Sequence, residues 1–168
     1  MGLISFRGLL FLFLGFIAVI GPTAPISNFP SGIETPDILL CLIFSWVVYD
    51  PRSASVWSIL ALCLLADILW LRPLGLWSML TLIASELVRH YRLDIIKQST
   101  LTQSFYFLIY FGLINVGVQV IYVIGVLKSL DFTVWLKYFL VTCIAFPILN
   151  LALVRTILGE KRPFSKVK

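Results

Sequence analysis

Charge is what this sequence has least of. Acidic and basic residues make up 12% of its 168 positions, against about 25% in soluble domains. So few charges cannot cover a water-exposed surface on a chain that is 60% hydrophobic with a mean hydropathy of +1.02. Cysteine is scarce too, and Cys41, Cys63 and Cys143 each stand inside an apolar run. With no CxxC pair and no Cys/His cluster, neither a disulfide framework nor a metal site is implied, and each thiol reads as a small hydrophobe. The one histidine, His90, excludes an HExxH motif and leaves no Ser/His/Asp set. A Gly-rich phosphate loop, internal repeats and low-complexity tracts are all missing. These absences disfavour an enzyme and imply no cofactor.

Long apolar runs are there instead. A membrane-spanning helix needs about 20 residues to cross about 30 Å of hydrocarbon. Six runs qualify or nearly so, over 3–21, 36–50, 54–71, 74–89, 104–127 and 132–157, which predicts an all-α membrane protein: one compact six-helix bundle over residues 1–168. Turn residues mark the boundaries. In "ETPD" Thr35 is expected as N-cap, Pro36 at the first helical position and Asp37 in the first turn, where the helix dipole favours an acid. "DPRS" separates the second run from the third, and "RPLG" the third from the fourth. The second run is short and fits a short span or a partly buried helix. The first has no A-x-A-like site after it and is read as an uncleaved helix rather than a signal peptide.

The net charge of +5 and pI near 9.3 fit a bilayer rather than a nucleic acid, because basic residues collect on the cytoplasmic side of spans. With the amino terminus inside and six crossings, Arg7, Arg52, Arg89, Arg92, Lys97, Arg155, Lys161, Arg162, Lys166 and Lys168 all lie inside. Arg72, Lys128 and Lys137 lie outside. The asymmetry predicts both termini in the cytoplasm of a multi-pass inner-membrane protein. Residues 22–35 then form the long external loop, and the basic tail 158–168 suits anionic headgroups.

Polar residues within the runs are the candidate functional positions. Asp67, near the external end of the third run, is expensive in a membrane and opposes the helix dipole. Three readings suit it: a salt link to Arg72 across the "WLRP" turn, a contact with a partner's membrane helix, or a titrating proton site. Glu86, Arg89 and His90 share a helix face and suggest local pairing. Gly112, Asn115, Gln119 and Tyr122 form a small and polar stripe expected to face other helices and bond across them. Pro147 should disturb the sixth run, with Asn150 satisfying the backbone groups it frees. Trp57, Trp77 and Trp135 read as interface anchors. No stripe combines aromatic walls with convergent charges, so no vitamin-like solute is expected to bind.

The stretch from about 35 to 90 resembles the rod shape-determining protein MreD family. That family has a proline opening a short second helix, an aspartate ending the third, and an L-G pair whose glycine stands eight residues after the aspartate. Pro36–Asp37, Asp67 and Leu74–Gly75 reproduce this pattern. The family's frequent glycines one turn either side of the aspartate are replaced here by Cys63 and Leu71. The resemblance implies a non-catalytic inner-membrane component of the machinery that builds lateral peptidoglycan. Its partners would be an MreC-like protein and, through it, a RodA-type glycosyltransferase, its penicillin-binding transpeptidase and MreB filaments. The family fold is also similar to the substrate-binding subunit (S-component) of energy-coupling-factor vitamin transporters. A small-solute binding subunit is therefore the rival expectation, and fold likeness alone cannot choose between them. The first run carries Gly8 and Gly15 rather than an Ala-rich small-residue face, which speaks against transport.

Overall fold

The computed structural model describes residues 6–23, 35–125 and 132–158. Residues 24–34 of the expected 22–35 loop, and the basic tail after 158, lie outside them. The described residues form six α-helices and no strand: α1 (Phe6–Ile20), α2 (Ile38–Tyr49), α3 (Val56–Leu69), α4 (Leu76–Ile96), α5 (Thr100–Ile124) and α6 (Phe132–Leu153). A short 3₁₀ turn follows α1, and α6 runs on as a π turn over Val154–Leu158. Phe6–Thr23, Thr100–Ile124 and Thr133–Thr156 are long and apolar enough to cross a membrane, which marks a membrane protein.

The shortest helix occupies the middle. Leu39 through Val48 of α2 are all buried, and α1, α4, α5 and α6 pack around it. A helix that is apolar on every side has no face to offer water and is enclosed by others. At 12 residues and 1.5 Å per residue it is about 18 Å long, shorter than the hydrocarbon. Both of its polar ends are satisfied within the protein. Asp50 accepts from the Ser53 hydroxyl at 2.9 Å and lies 3.6 Å from Arg7 of α1.

Beside α2 an aromatic cluster joins three helices. Phe107 of α5 stacks on Phe146 of α6 with ring centres 4.0 Å apart, and Phe44 of α2 meets both edge-on at 5.4 and 5.3 Å. Two glycines set helix separations. A Cβ on Gly15 would overlap the Leu62 side chain of α3, and one on Gly117 would stand 3.0 Å from Leu80 of α4. The expected small-residue stripe is displaced here. At Gly112 a Cβ would meet only ordinary contact with Phe139, at 3.9 Å.

The fourth and fifth helices depart from the boundaries expected. α4 runs past Arg89 to Ile96, and α5 begins at Thr100 rather than 104. Ile95, 2% exposed, anchors the added turns. Ser99 caps α5 by accepting from Thr102 N–H at 3.4 Å. Gln103 donates to the carbonyls of Ile95 and Gln98 at 3.3 and 3.2 Å, closing the end of α4. Only Lys97–Ser99 then separate the two helices.

Candidate functional site

One end of the bundle gathers the termini of α1, α2 and α3 with the start of α4 and the second turn of α6. Asp67 lies there, 1% exposed. Its carboxylate does not reach Arg72. Oδ2 accepts from the Gly75 N–H at 3.0 Å and the Ser78 hydroxyl at 2.8 Å, so it caps α4 from eight residues upstream. Gly75 holds φ +86°, the left-handed region that only glycine enters freely. The Asp67 carbonyl also closes α3. It accepts from Arg72 N–H at 3.0 Å while Ile68 O accepts from Leu71 N–H at 3.4 Å, the paired bonds of a Schellman ending. Leu71, the residue that turns left-handed there (φ +53°), is 93% exposed. The salt link expected between Asp67 and Arg72 is therefore replaced by two helix caps, because unsatisfied N–H donors lie nearer than the guanidinium.

The second aspartate works in a similar way. α2 begins at Ile38, two residues later than expected, with Asp37 as its N-cap in place of Thr35. One carboxylate oxygen accepts from Leu40 N–H at 3.0 Å and the other from the Tyr138 hydroxyl of α6 at 2.6 Å. The Asp37 N–H donates to Thr142 Oγ1 at 3.1 Å, and that hydroxyl donates to the Tyr138 carbonyl at 2.9 Å. Asp37 thus joins the start of the central helix to α6.

Between these caps lies a cavity of about 180 Å³ lined by Pro22, Pro36, Asp37, Trp70, Arg72 and Tyr138, among others. Arg72 is held between two indoles, its guanidinium carbon 4.5 Å from the Trp70 ring centre and 4.2 Å from that of Trp77. Trp70 is itself fixed by donating to the Val19 carbonyl of α1 at 3.1 Å. Trp77, expected at an interface, is buried as one wall of this sandwich. The sequence shows no single stripe of charges with aromatic walls, and the structure does not build one. Charges and aromatic walls do converge, but from four separate segments, which no single-helix stripe reveals. Leu74, by contrast, is largely exposed.

At the opposite end a buried polar chain joins α2, α5 and α6. Ser45 donates to Asn150 Oδ1 at 3.0 Å, Asn150 Nδ2 to Gln103 Oε1 at 3.0 Å, and the Tyr49 hydroxyl to the same oxygen at 2.9 Å. Asn150 therefore serves side chains of other helices rather than backbone freed by Pro147. Ser45, Tyr49 and Gln103 escaped notice as lone polar residues at the ends of apolar runs. Asn115 departs in the other direction. It turns back on its own helix, donating to Phe111 O at 2.8 Å, while Gln119 is half-buried one turn on. Arg89 meets Glu86 at 3.2 Å and donates to the Ala54 carbonyl at 2.8 Å, while His90 turns edge-on to Tyr91.

Among the described residues, no cluster of three or more His, Cys, Asp or Glu gathers in a metal-binding arrangement. Comparison of the chain with family models, with curated proteins and with solved structures finds no match.

Proposed function

We propose that the chain is a non-catalytic, multi-pass inner-membrane scaffold subunit of the cell-shape machinery, of the MreD type. It partners an MreC-like protein in the control of lateral peptidoglycan synthesis. The observation that carries this reading is what the Pro36–Asp37, Asp67 and Leu74–Gly75 pattern does physically. The eight-residue separation is a hydrogen bond from Gly75 N–H to Asp67, and Asp37 caps the buried second helix. Asp37, Asp67 and Gly75 of that pattern thus build one end of the bundle, with reasons to stand at those spacings. In this reading both termini are cytoplasmic, all six helices lie at membrane depth, and the caps face outward. Depletion in the native rod-shaped host should cause rounding and swelling, with loss of co-purifying MreC-like protein. Unchanged cell shape after confirmed depletion overturns the assignment.

The cavity beside Arg72 favours a second reading, a small-solute binding subunit of the vitamin-transporter type. Its volume of about 180 Å³ is below the ~300–1,000 Å³ of pockets that enclose drug-sized ligands. The scaffold reading is accordingly preferred. Thermal-shift screening of the purified chain against a vitamin panel separates the two, since saturable stabilisation by one compound would move the assignment to transport.

A further inference from the structure

The cavity at the capped end holds two opposite charges that form no direct ion pair. Arg72 and Asp37 both line it, yet the ion pairs among the described residues are Arg7–Asp50 and Arg89–Glu86. Each charge is held in place by something other than its opposite. The guanidinium lies over the rings of Trp70 and Trp77 and beside the Tyr138 hydroxyl, one polar neighbour for five N–H donors. A guanidinium stays protonated, and its donors lie in its own plane, in a fork that matches an oxyanion. Asp37 is fixed by its cap bond to Leu40 and by Tyr138. A carboxylate offers about four lone-pair sites, so accepting capacity remains for a donor within the cavity.

We infer that this cavity binds a zwitterion carrying an oxyanion and a primary ammonium a few bonds apart, the phosphoethanolamine headgroup of a membrane lipid. The phosphate lies against the edge of Arg72. The ammonium turns toward Asp37. The volume suits this chemistry: about 180 Å³ lies below the ~300–1,000 Å³ of pockets that enclose drug-sized ligands, a size for a headgroup rather than a larger solute. The position suits it as well, because helix ends and a Pro22–Pro36 wall surround the cavity, which is headgroup depth for a helix crossing the bilayer. The same chemistry is available from free phosphoethanolamine, so the test has an arm for each source. The inference stands apart from the choice between scaffold and transporter, since it requires only that the capped end meet a leaflet surface.

Native mass spectrometry of the full chain, released from mixed micelles with equimolar phosphatidylethanolamine and phosphatidylglycerol, reads the retained lipid directly. The intact chain should retain one phosphatidylethanolamine with about tenfold preference, equivalent to about 1.4 kcal/mol. R72Q should bring the ratio close to one, whereas R52Q, at an exposed residue beyond the other end of α3, should keep it. If R72Q fails to accumulate, R72K decides: it keeps the charge, loses the planar fork, and should reduce the preference severalfold. Displacement of the retained lipid by free O-phosphoethanolamine identifies a soluble source as sufficient. A preference that persists in its presence identifies the lipid. Equal retention of the two lipids by the intact chain, or full preference in the Arg72 variant that folds, overturns the inference.

Discussion

At Asp67 the main-chain carbonyl closes α3 and the carboxylate opens α4, so one residue holds both sides of a helical hairpin. This arrangement answers how a membrane helix tolerates an acid so near its end, where the dipole is unfavourable. The carboxylate faces the N-terminus of the next helix, where the dipole is favourable. Asp67→Ala should therefore lower stability by about 1–3 kcal/mol, the cost of stranding buried donors, and Asp67→Asn, which keeps an acceptor, by less. Exchanging the pair (Asp67→Arg with Arg72→Asp) should not recover the loss, because arginine has no acceptor for Gly75 or Ser78. Thermal unfolding in detergent distinguishes these variants, and rescue by the exchange would restore the salt-link reading. Leu71 offers the opposite case. It takes the left-handed position that a Schellman ending usually gives to glycine, with its side chain almost wholly exposed. A left-handed non-glycine residue costs about 1–2 kcal/mol, so Leu71→Gly should raise the unfolding midpoint even after the added freedom of the unfolded chain. A midpoint unchanged or lowered would show that the strain is absent.

Among the helices, the character of each was easier to read from the sequence than its neighbours. α2 is apolar all round, which agrees with its burial on every side, although the sequence left open a short span or a partly buried helix. The positions of the turns followed from proline, glycine and aspartate. What could not be read was pairing across distance. Tyr138 meets Asp37 from 101 residues away and Asn150 meets Ser45 from 105, and no local periodicity records such separations. The cavity was hidden for the same reason, since Pro22, Asp37, Arg72 and Tyr138 come from four segments. Asn115 misled because a mid-helix amide can satisfy itself on its own backbone, as it does at Phe111. Gly15 shows how an element contact can be tested. Its missing side chain admits Leu62, so Gly15→Val should destabilise by about 1–3 kcal/mol through overpacking. Combining it with Leu62→Ala should recover much of that loss. Simple addition of the two losses would show that α1 and α3 do not meet there.

For the molecule as a whole, three helices are long and apolar enough to cross a bilayer; α4 has the length, at 21 residues, but carries Glu86, Arg89, Arg92 and Asp94, and α2 and α3 are shorter. Short helices at membrane depth are tolerated where protein encloses their ends. α2 meets that condition, capped by Asp37 at one end and tied through Asp50 to Arg7 at the other. The six-helix arrangement is then compatible with six crossings, and Arg7, Arg52, Arg89 and Arg92 fall at the end opposite the capped cavity, as the proposed direction requires. The expected topology has both termini in the cytoplasm and residues 22–35 outside. An impermeant thiol reagent applied to intact cells should label a cysteine placed at Asn28 and spare one placed at Ser165. Background is favourable, because Cys41 and Cys63 are 1% and 4% exposed and Cys143 is half-buried within α6. Permeabilising the cells should bring position 165 into reach without changing position 28. Labelling at 165 and not at 28 in intact cells would invert the bundle and place the Arg72 cavity at the cytoplasmic leaflet. Labelling at both would mean an odd number of crossings, and the first helix to doubt would be α2, whose length alone cannot carry it across.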